Sequence, residues 1–237
     1  MMREAGRVTA AALRHVGEAV RPGVSTRELD RIAEEYIRSQ GAKPAFLGYH
    51  GFPGTLCTSV NEQVVHGIPG KRVLKEGDIL SVDCGAVIDG YFGDSARTFP
   101  VGTVSQAAQS LMDATRSSLE AGISKMRANM RLYDIGAAVQ QVAEAAGFSV
   151  VREYVGHGIG RDMHEEPQVP NFGQAGRGVQ LKPGMVLAVE PMVNAGGYEV
   201  RGLDDGWTVV TADGSLSAHF EHTIAITEDG PDILTIE

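Results

Sequence analysis

The chain has 237 residues, with 21 Lys+Arg against 30 Asp+Glu, a formal net charge of −9, two Cys and a hydrophobic share of 43%. That length supports one or two domains with a sizeable core, and the composition is too apolar for a disordered chain. The acidic balance argues against a general nucleic-acid or anionic-membrane binder, and no window approaches the ~18 uninterrupted apolar residues of a membrane span.

The first twenty residues, MMREAGRVTAAALRHVGEAV, carry apolar positions at a 3.6-residue period with charges scattered through them. They predict an amphipathic helix of the fold rather than a secretory leader, and the protein is expected to be cytoplasmic. After Pro22-Gly23, Ser25 and Glu28 form a capping-box pattern, and Leu29, Ile32, Ala33, Tyr36 and Ile37 continue at helical spacing until Gly41. From Thr55 to Phe99 the pattern changes to short β-rich runs: TLCTSVN, VVHGI, DILSVDCGAVID and YFGDSARTF. Helical periodicity returns over 105–121 and about 130–146, with Gly147 as the stop, and a second β-rich stretch runs from Ser149 to the end. Cys57 and Cys84 are expected to be reduced and buried.

The order of helices, sheet, helices, sheet suggests an internal repeat. LKEGDILSVD at 74–83 and LKPGMVLAVE at 181–190 share Leu, Lys, Gly, Leu and Val at matching places, and each is preceded by HGI, at 66–68 and 157–159. The chain therefore reads as one α+β domain over 1–237 with related halves of approximately 1–103 and 104–237. Asp83 and Glu190 then occupy equivalent positions and face each other across a shared cleft.

Asp89-Gly90 predicts a two-residue hairpin turn. With Ile88 opposite Tyr91, paired residues sum to 179, so Asp94 lies opposite Gly85, one diagonal step from Asp83 on the same face. Leu80, Val82, Cys84 and Ala86 supply the apolar opposite face. Two carboxylates at that spacing repel unless a cation lies between them, and a divalent metal is the simplest remedy. His157 in GHGIG, His164 in HEEP, Glu190 in VEPM and Glu221 in FEHT offer further donors. Carboxylates with one imidazole suit hard or borderline divalent ions, and acids able to bridge point to a two-metal site. GHGIG lacks the spacing of a dinucleotide fingerprint, and neither a Walker loop nor a GxSxG elbow occurs. His15 and His222 read as structural or supporting, Cys84 as core, and Lys125, Arg127 and Arg131 as solvated surface.

The strings NEQVVHGIPG, SVDCG, GDSARTF, GHGIGRDMHEEP, AVEPM and FEHT, in this order, closely resemble the type I methionine aminopeptidases, whose pita-bread fold is shared with prolidases and aminopeptidases P. The resemblance runs over nearly the whole chain. It implies two pseudo-symmetric αβ halves around a curved antiparallel sheet, with a dinuclear centre of Co, Mn, Fe, Zn or Ni. It also implies Asp83, Asp94, His157, Glu190 and Glu221 as ligands, with Asp94 and Glu221 bridging both ions and His157 serving one. His66 and His164 are then the catalytic, substrate-contacting histidines, and Glu190 a proton shuttle. Tyr49, Phe52, Phe46, Met163 and Trp207 are the implied walls of a methionine pocket.

The activity implied is removal of the initiator methionine from nascent chains and peptides with a small second residue, by a hydroxide bridging two divalent ions. The implied protein is a monomer that meets its substrates near the ribosome, with no nucleic-acid or membrane partner of its own. Within the class, a prolidase or aminopeptidase P shares the five ligands, but those relatives generally carry an additional N-terminal domain. A non-catalytic binding protein on the same scaffold would show missing ligands and basic insertions, and neither is present.

Overall fold

The computed structural model describes residues 1–237. Helices α1 (Met2–Ala19) and α2 (Thr26–Ser39) come first. Ser25 Oγ accepts the Glu28 backbone N–H at 3.2 Å, and Gly41 follows α2 at φ 73, a left-handed conformation that a side chain would resist. β1 (Lys43–Pro44), a 3₁₀ turn over Tyr49–Gly51, β2 (Leu56–Val60) and β3 (Gln63–Val65) lead to the long hairpin of β4 (Ile79–Ile88) and β5 (Tyr91–Pro100).

The second half repeats this plan with α3 (Gln106–Ser124) and α4 (Leu132–Ala145), followed by β6 (Ser149–Val150), β7 (Gly156–Gly158), β8 (Glu165–Val169), β9 (Val186–Val189) and β10 (Met192–Asn194). It closes with β11 (Val200–Gly202), β12 (Val209–Thr211), β13 (Ser217–His219), β14 (His222–Thr227) and β15 (Gly230–Ile233).

The expected helices are all present. The expected strands of the first half also hold, and β4 pairs β5 antiparallel with Ile88↔Tyr91, Gly85↔Asp94 and Asp83↔Ala96, the register that the Asp89-Gly90 turn requires. Asp89 and Gly90 both have positive φ, 50 and 77. In the second half the expected long runs are broken. GMVLAVEPMV divides into β9 and β10 around Glu190-Pro191, because proline cannot donate to a ladder, and AHFEHTIAIT divides into β13 and β14 around Phe220-Glu221. β7, β8, β11 and β15 are additional short strands that the alternation alone does not show.

Two apolar cores lie under the two halves. One packs Val16, Leu29, Ile37, Leu80, Val82, Cys84 and Ala86 between α1, α2 and the β4–β5 hairpin. The other packs Leu111, Leu119, Leu132, Ile135 and their neighbours on α3 and α4 with Leu187, Val189, Ile224 and Ile226 of β9 and β14. Both cysteines are free and buried, Cys84 in the first core.

The halves are stitched together where β5 passes β14. Thr223 Oγ1 accepts the Asp94 N–H at 3.0 Å and donates to the Asp94 carbonyl at 2.7 Å. Ser95 Oγ donates to the Glu221 carbonyl at 2.6 Å, and the Glu221 N–H donates to the Ala96 carbonyl at 2.9 Å. This seam fixes Asp94 and Glu221 beside each other.

Candidate metal centre

One cavity of about 450 Å³ opens over the seam, and all twelve nominated site residues line it. Its floor is acidic. Asp83 and Asp94 project from the same face of the hairpin into hydrogen-bonding reach of each other. A Cβ at Gly85, between them on that face, would lie 2.8 Å from Ala45 Cβ and 2.9 Å from the Phe46 ring, so only glycine fits there. Oxygens of Asp94 and Glu221 and a nitrogen of His157 lie within 4.8 Å of one another. His157 Nε2 is 3.5 Å from Glu190 Oε1 and 4.0 Å from Asp94 Oδ2.

Burial and mutual repulsion push the carboxyls upward: Asp94 to about 7, and Asp83, Glu190 and Glu221 well above their ordinary range. Four acids cannot all ionise in this volume without cations. Asp83 Oδ1, Asp94 Oδ1 and Glu221 Oε1 are buried with no hydrogen-bond partner, a cost of ~1–3 kcal/mol each unless something else meets them. His157 Nδ1 lies 2.8 Å from the Gly158 carbonyl, so its N–H is committed there and the Nε2 lone pair faces the carboxylates. The donor set and its orphaned atoms fit divalent metal ions.

The neutral side of the cavity is histidine and aromatic. His66 ends β3 at φ 60, left-handed backbone that costs about 1–3 kcal/mol for a non-glycine residue. Burial lowers its pKa to about 4, so the ring is neutral. His164 Nδ1 hydrogen-bonds the Tyr49 hydroxyl at 2.8 Å, and its ring lies 4.3 Å from that of His157. Phe46, Phe52, Cys57 and Met163 form a small apolar cluster with Tyr49 and Trp207 against it, and Phe52 meets Trp207 edge-on at 5.1 Å.

A profile of metallopeptidase family M24 matches residues 1–228. The chain belongs to family M24. Among its relatives, a methionine aminopeptidase of Clostridium perfringens is 57% identical over 236 residues, covering 100% of this chain and 95% of that protein. Methionine aminopeptidase 1 of Bacillus subtilis is 57% identical over 235 residues, covering 99% and 95%. The crystal structure of a Thermotoga maritima methionine aminopeptidase superposes with a TM-score of 0.98 at 48% identity, covering 100% of this chain and 95% of that one. A Pyrococcus furiosus prolidase shares the fold alone, at TM-score 0.77 and 20% identity, and this chain covers 63% of it. The M24 fold is thus the two-half pita-bread architecture built above.

Three lining residues escaped the sequence reading: His50, Cys57 and Val65. Cys57 was readable in hindsight, since β2 pairs β4 with Cys57↔Asp83 and sets the thiol beside the acids. A fourth is His219, buried behind Glu190 with Nε2 3.7 Å from Glu190 Oε2. Its signal was the HFE string, which places it two residues from Glu221.

The remaining singled-out residues lie elsewhere. His222 Nδ1 bonds Thr235 Oγ1 at 2.8 Å, His15 stacks on Tyr36 in the first half, and Lys125, Arg127 and Arg131 are exposed. Gly93, next to Asp94, serves the fold: a Cβ there would meet the α1 backbone, 2.6 Å from Gly6 N.

Proposed function

We propose that the chain removes N-terminal methionine from peptides and nascent proteins with a small second residue, using two divalent ions held by Asp83, Asp94, His157, Glu190 and Glu221. The observation that supports this reading best is the junction, in one cavity, of an orphaned carboxylate cluster with an apolar pocket of the size and softness a thioether needs. When bound, the ions supply Lewis acidity and a water acidified toward neutral pH.

The chain's own residues do the rest. Phe46, Phe52, Met163 and Trp207 take the methionine side chain and exclude water. The Tyr49 hydroxyl, donating to His164 Nδ1, leaves the His164 Nε2–H as a donor toward the scissile carbonyl oxygen as charge develops on it. His66, neutral and held in an unusual backbone conformation, hydrogen-bonds the substrate nitrogen beside the bond that breaks. Glu190 receives a proton at Oε1 and passes it to the leaving amine.

Release of methionine from a peptide panel, with each ion added in turn under controlled oxygen, tests this directly. Met-Gly-Met should be cleaved in a metal-dependent way, with Met-Lys starts far slower. Preference for Gly-Pro or Xaa-Pro-Xaa peptides would overturn the reading in favour of a prolidase or aminopeptidase P.

A further inference from the structure

Glu190 is bracketed by two imidazoles. His157 Nε2 stands 3.5 Å from Oε1, and His219 Nε2 stands 3.7 Å from Oε2 on the other side. His219 is 1% exposed, and its Nε2 has no hydrogen-bond partner. A buried polar nitrogen left unmet costs about 1–3 kcal/mol, and the acid within reach of this one is Glu190.

Its backbone is held with unusual care. Thr98 Oγ1, on β5 of the opposite half, accepts the His219 N–H at 2.9 Å and donates to the His219 carbonyl at 2.9 Å. Thr98 is in turn 2.9 Å from Ser81 Oγ on β4. β13 pairs β10 with His219 opposite Met192, two residues beyond Glu190, and the Phe220 N–H reaches the Pro191 carbonyl at 3.3 Å. The break after Glu190 and the break after His219 therefore lie side by side, and the ring is fixed against the carboxyl from both halves.

We propose that His219 is a positioning residue for Glu190: its Nε2–H donates to Oε2, which turns Oε1 toward the reacting centre and sets the carboxylate for the ions. The proposal rests on the role given to Glu190 above. The gap of 3.7 Å needs only a small side-chain rotation to become a hydrogen bond, and such contacts commonly tighten when a site is filled. A donor of this kind, behind a ligating group, typically changes metal affinity or activity ~10–100-fold.

The test uses the full chain. In zinc-loaded protein, ¹⁵N shifts of the His219 ring should report the Nε2–H tautomer; an Nδ1–H tautomer overturns the proposal. Mn²⁺ titration by calorimetry should show His219→Leu weakened about 10-fold, with kcat lowered about 30-fold and KM within about twofold. His219→Gln, which also offers an N–H from its side-chain end, should recover both affinity and kcat to within about threefold. Wild-type affinity and kcat in the leucine variant, or a glutamine variant as impaired as leucine, overturns the proposal. Should the leucine variant not fold, the tautomer and the glutamine variant still decide. The ring tautomer and the Mn²⁺ affinity need no peptide, so a wrong substrate assignment leaves them standing.

Discussion

The two halves of the molecule present their acids differently. Asp83 and Asp94 hang from an unbroken hairpin of two ten-residue strands, each within a continuous ladder. Glu190 and Glu221 stand where the equivalent strands are interrupted, one before Pro191 and the other between β13 and β14. The first half therefore holds its carboxylates by regular pairing. The second holds them by borrowed contacts: Asn171 Nδ2 donates to the Glu190 carbonyl at 3.1 Å, and Ser95 and Ala96 of the first half fix the Glu221 backbone. A platform of unbroken ladder on one side meets one of interrupted strands on the other, and the cavity lies between them.

The largest expected effect comes from deleting one acid on each side. Asp94→Ala and Glu221→Ala should each lose bound metal and at least about 10³-fold in turnover, since several kcal/mol of transition-state stabilisation go with the ions and each 1.36 kcal/mol is tenfold. Metal content by mass spectrometry and methionine release check both. Wild-type rates for either variant in metal-supplemented buffer would refute a centre shared by the two halves. Next, His66→Ala should lower turnover about 10²–10⁴-fold with metal content near normal. A metal-free His66→Ala protein would place His66 among the ligands and redraw the floor of the cavity.

That contrast also explains what could be read from the sequence. The β4–β5 register followed from Asp89-Gly90 and the strict alternation of Leu80, Val82, Cys84 and Ala86 against Asp83 and Gly85, because a hairpin turn fixes every pair beyond it. The repeat then carried Asp83 over to Glu190. The strand break at Glu190 has a local cue in Pro191, whereas the break at Glu221 is invisible to alternation, since contacts across the seam hold that residue. The pocket walls were legible only through the family resemblance, because Phe46, Tyr49, Phe52, Met163 and Trp207 lie on turns and loops with no period to follow. For His219 the sequence offers only its place two residues before Glu221, and since a buried histidine on a strand is ordinarily core, its distance to Glu190 is what distinguishes it.

The seam itself gives a smaller, graded test. Thr223→Val removes the oxygen that both accepts from and donates to the Asp94 backbone, leaving two buried groups unmet, and should cost about 1–3 kcal/mol. Ser95→Ala removes one donor to the Glu221 carbonyl and should cost about 1 kcal/mol. At about 2–4 °C per kcal/mol for a chain of this size, thermal melting resolves the order. A Ser95→Ala loss larger than that of Thr223→Val would mean that Glu221, not Asp94, depends more on the stitching.

The smallest effect concerns the charge that both platforms share. In metal-stripped protein Asp94 titrates near 7, and Asp83, Glu190 and Glu221 are raised well above the ordinary carboxyl range. The native state therefore holds protons that the unfolded chain has released. His66, His157 and His222 are lowered to about 4 and His219 to about 3, chiefly by burial, so below about 6.5 the unfolded chain gains protons at these rings that the native state refuses. Between about pH 4 and 8 the two groups oppose each other.

From about pH 8 upward the imidazoles are neutral in both states, and the acids raised well above the ordinary range act alone. With more protons bound in the native state than in the unfolded one, stability must fall as pH rises from there. A loss of ~1 kcal/mol between about pH 8 and 9.5 would lower the melting temperature of EDTA-treated protein by about 2–4 °C, and Mn²⁺ should abolish the slope by replacing the protons. A stripped protein whose melting temperature is flat or rising over that interval would show that the four acids do not confront one another across the seam.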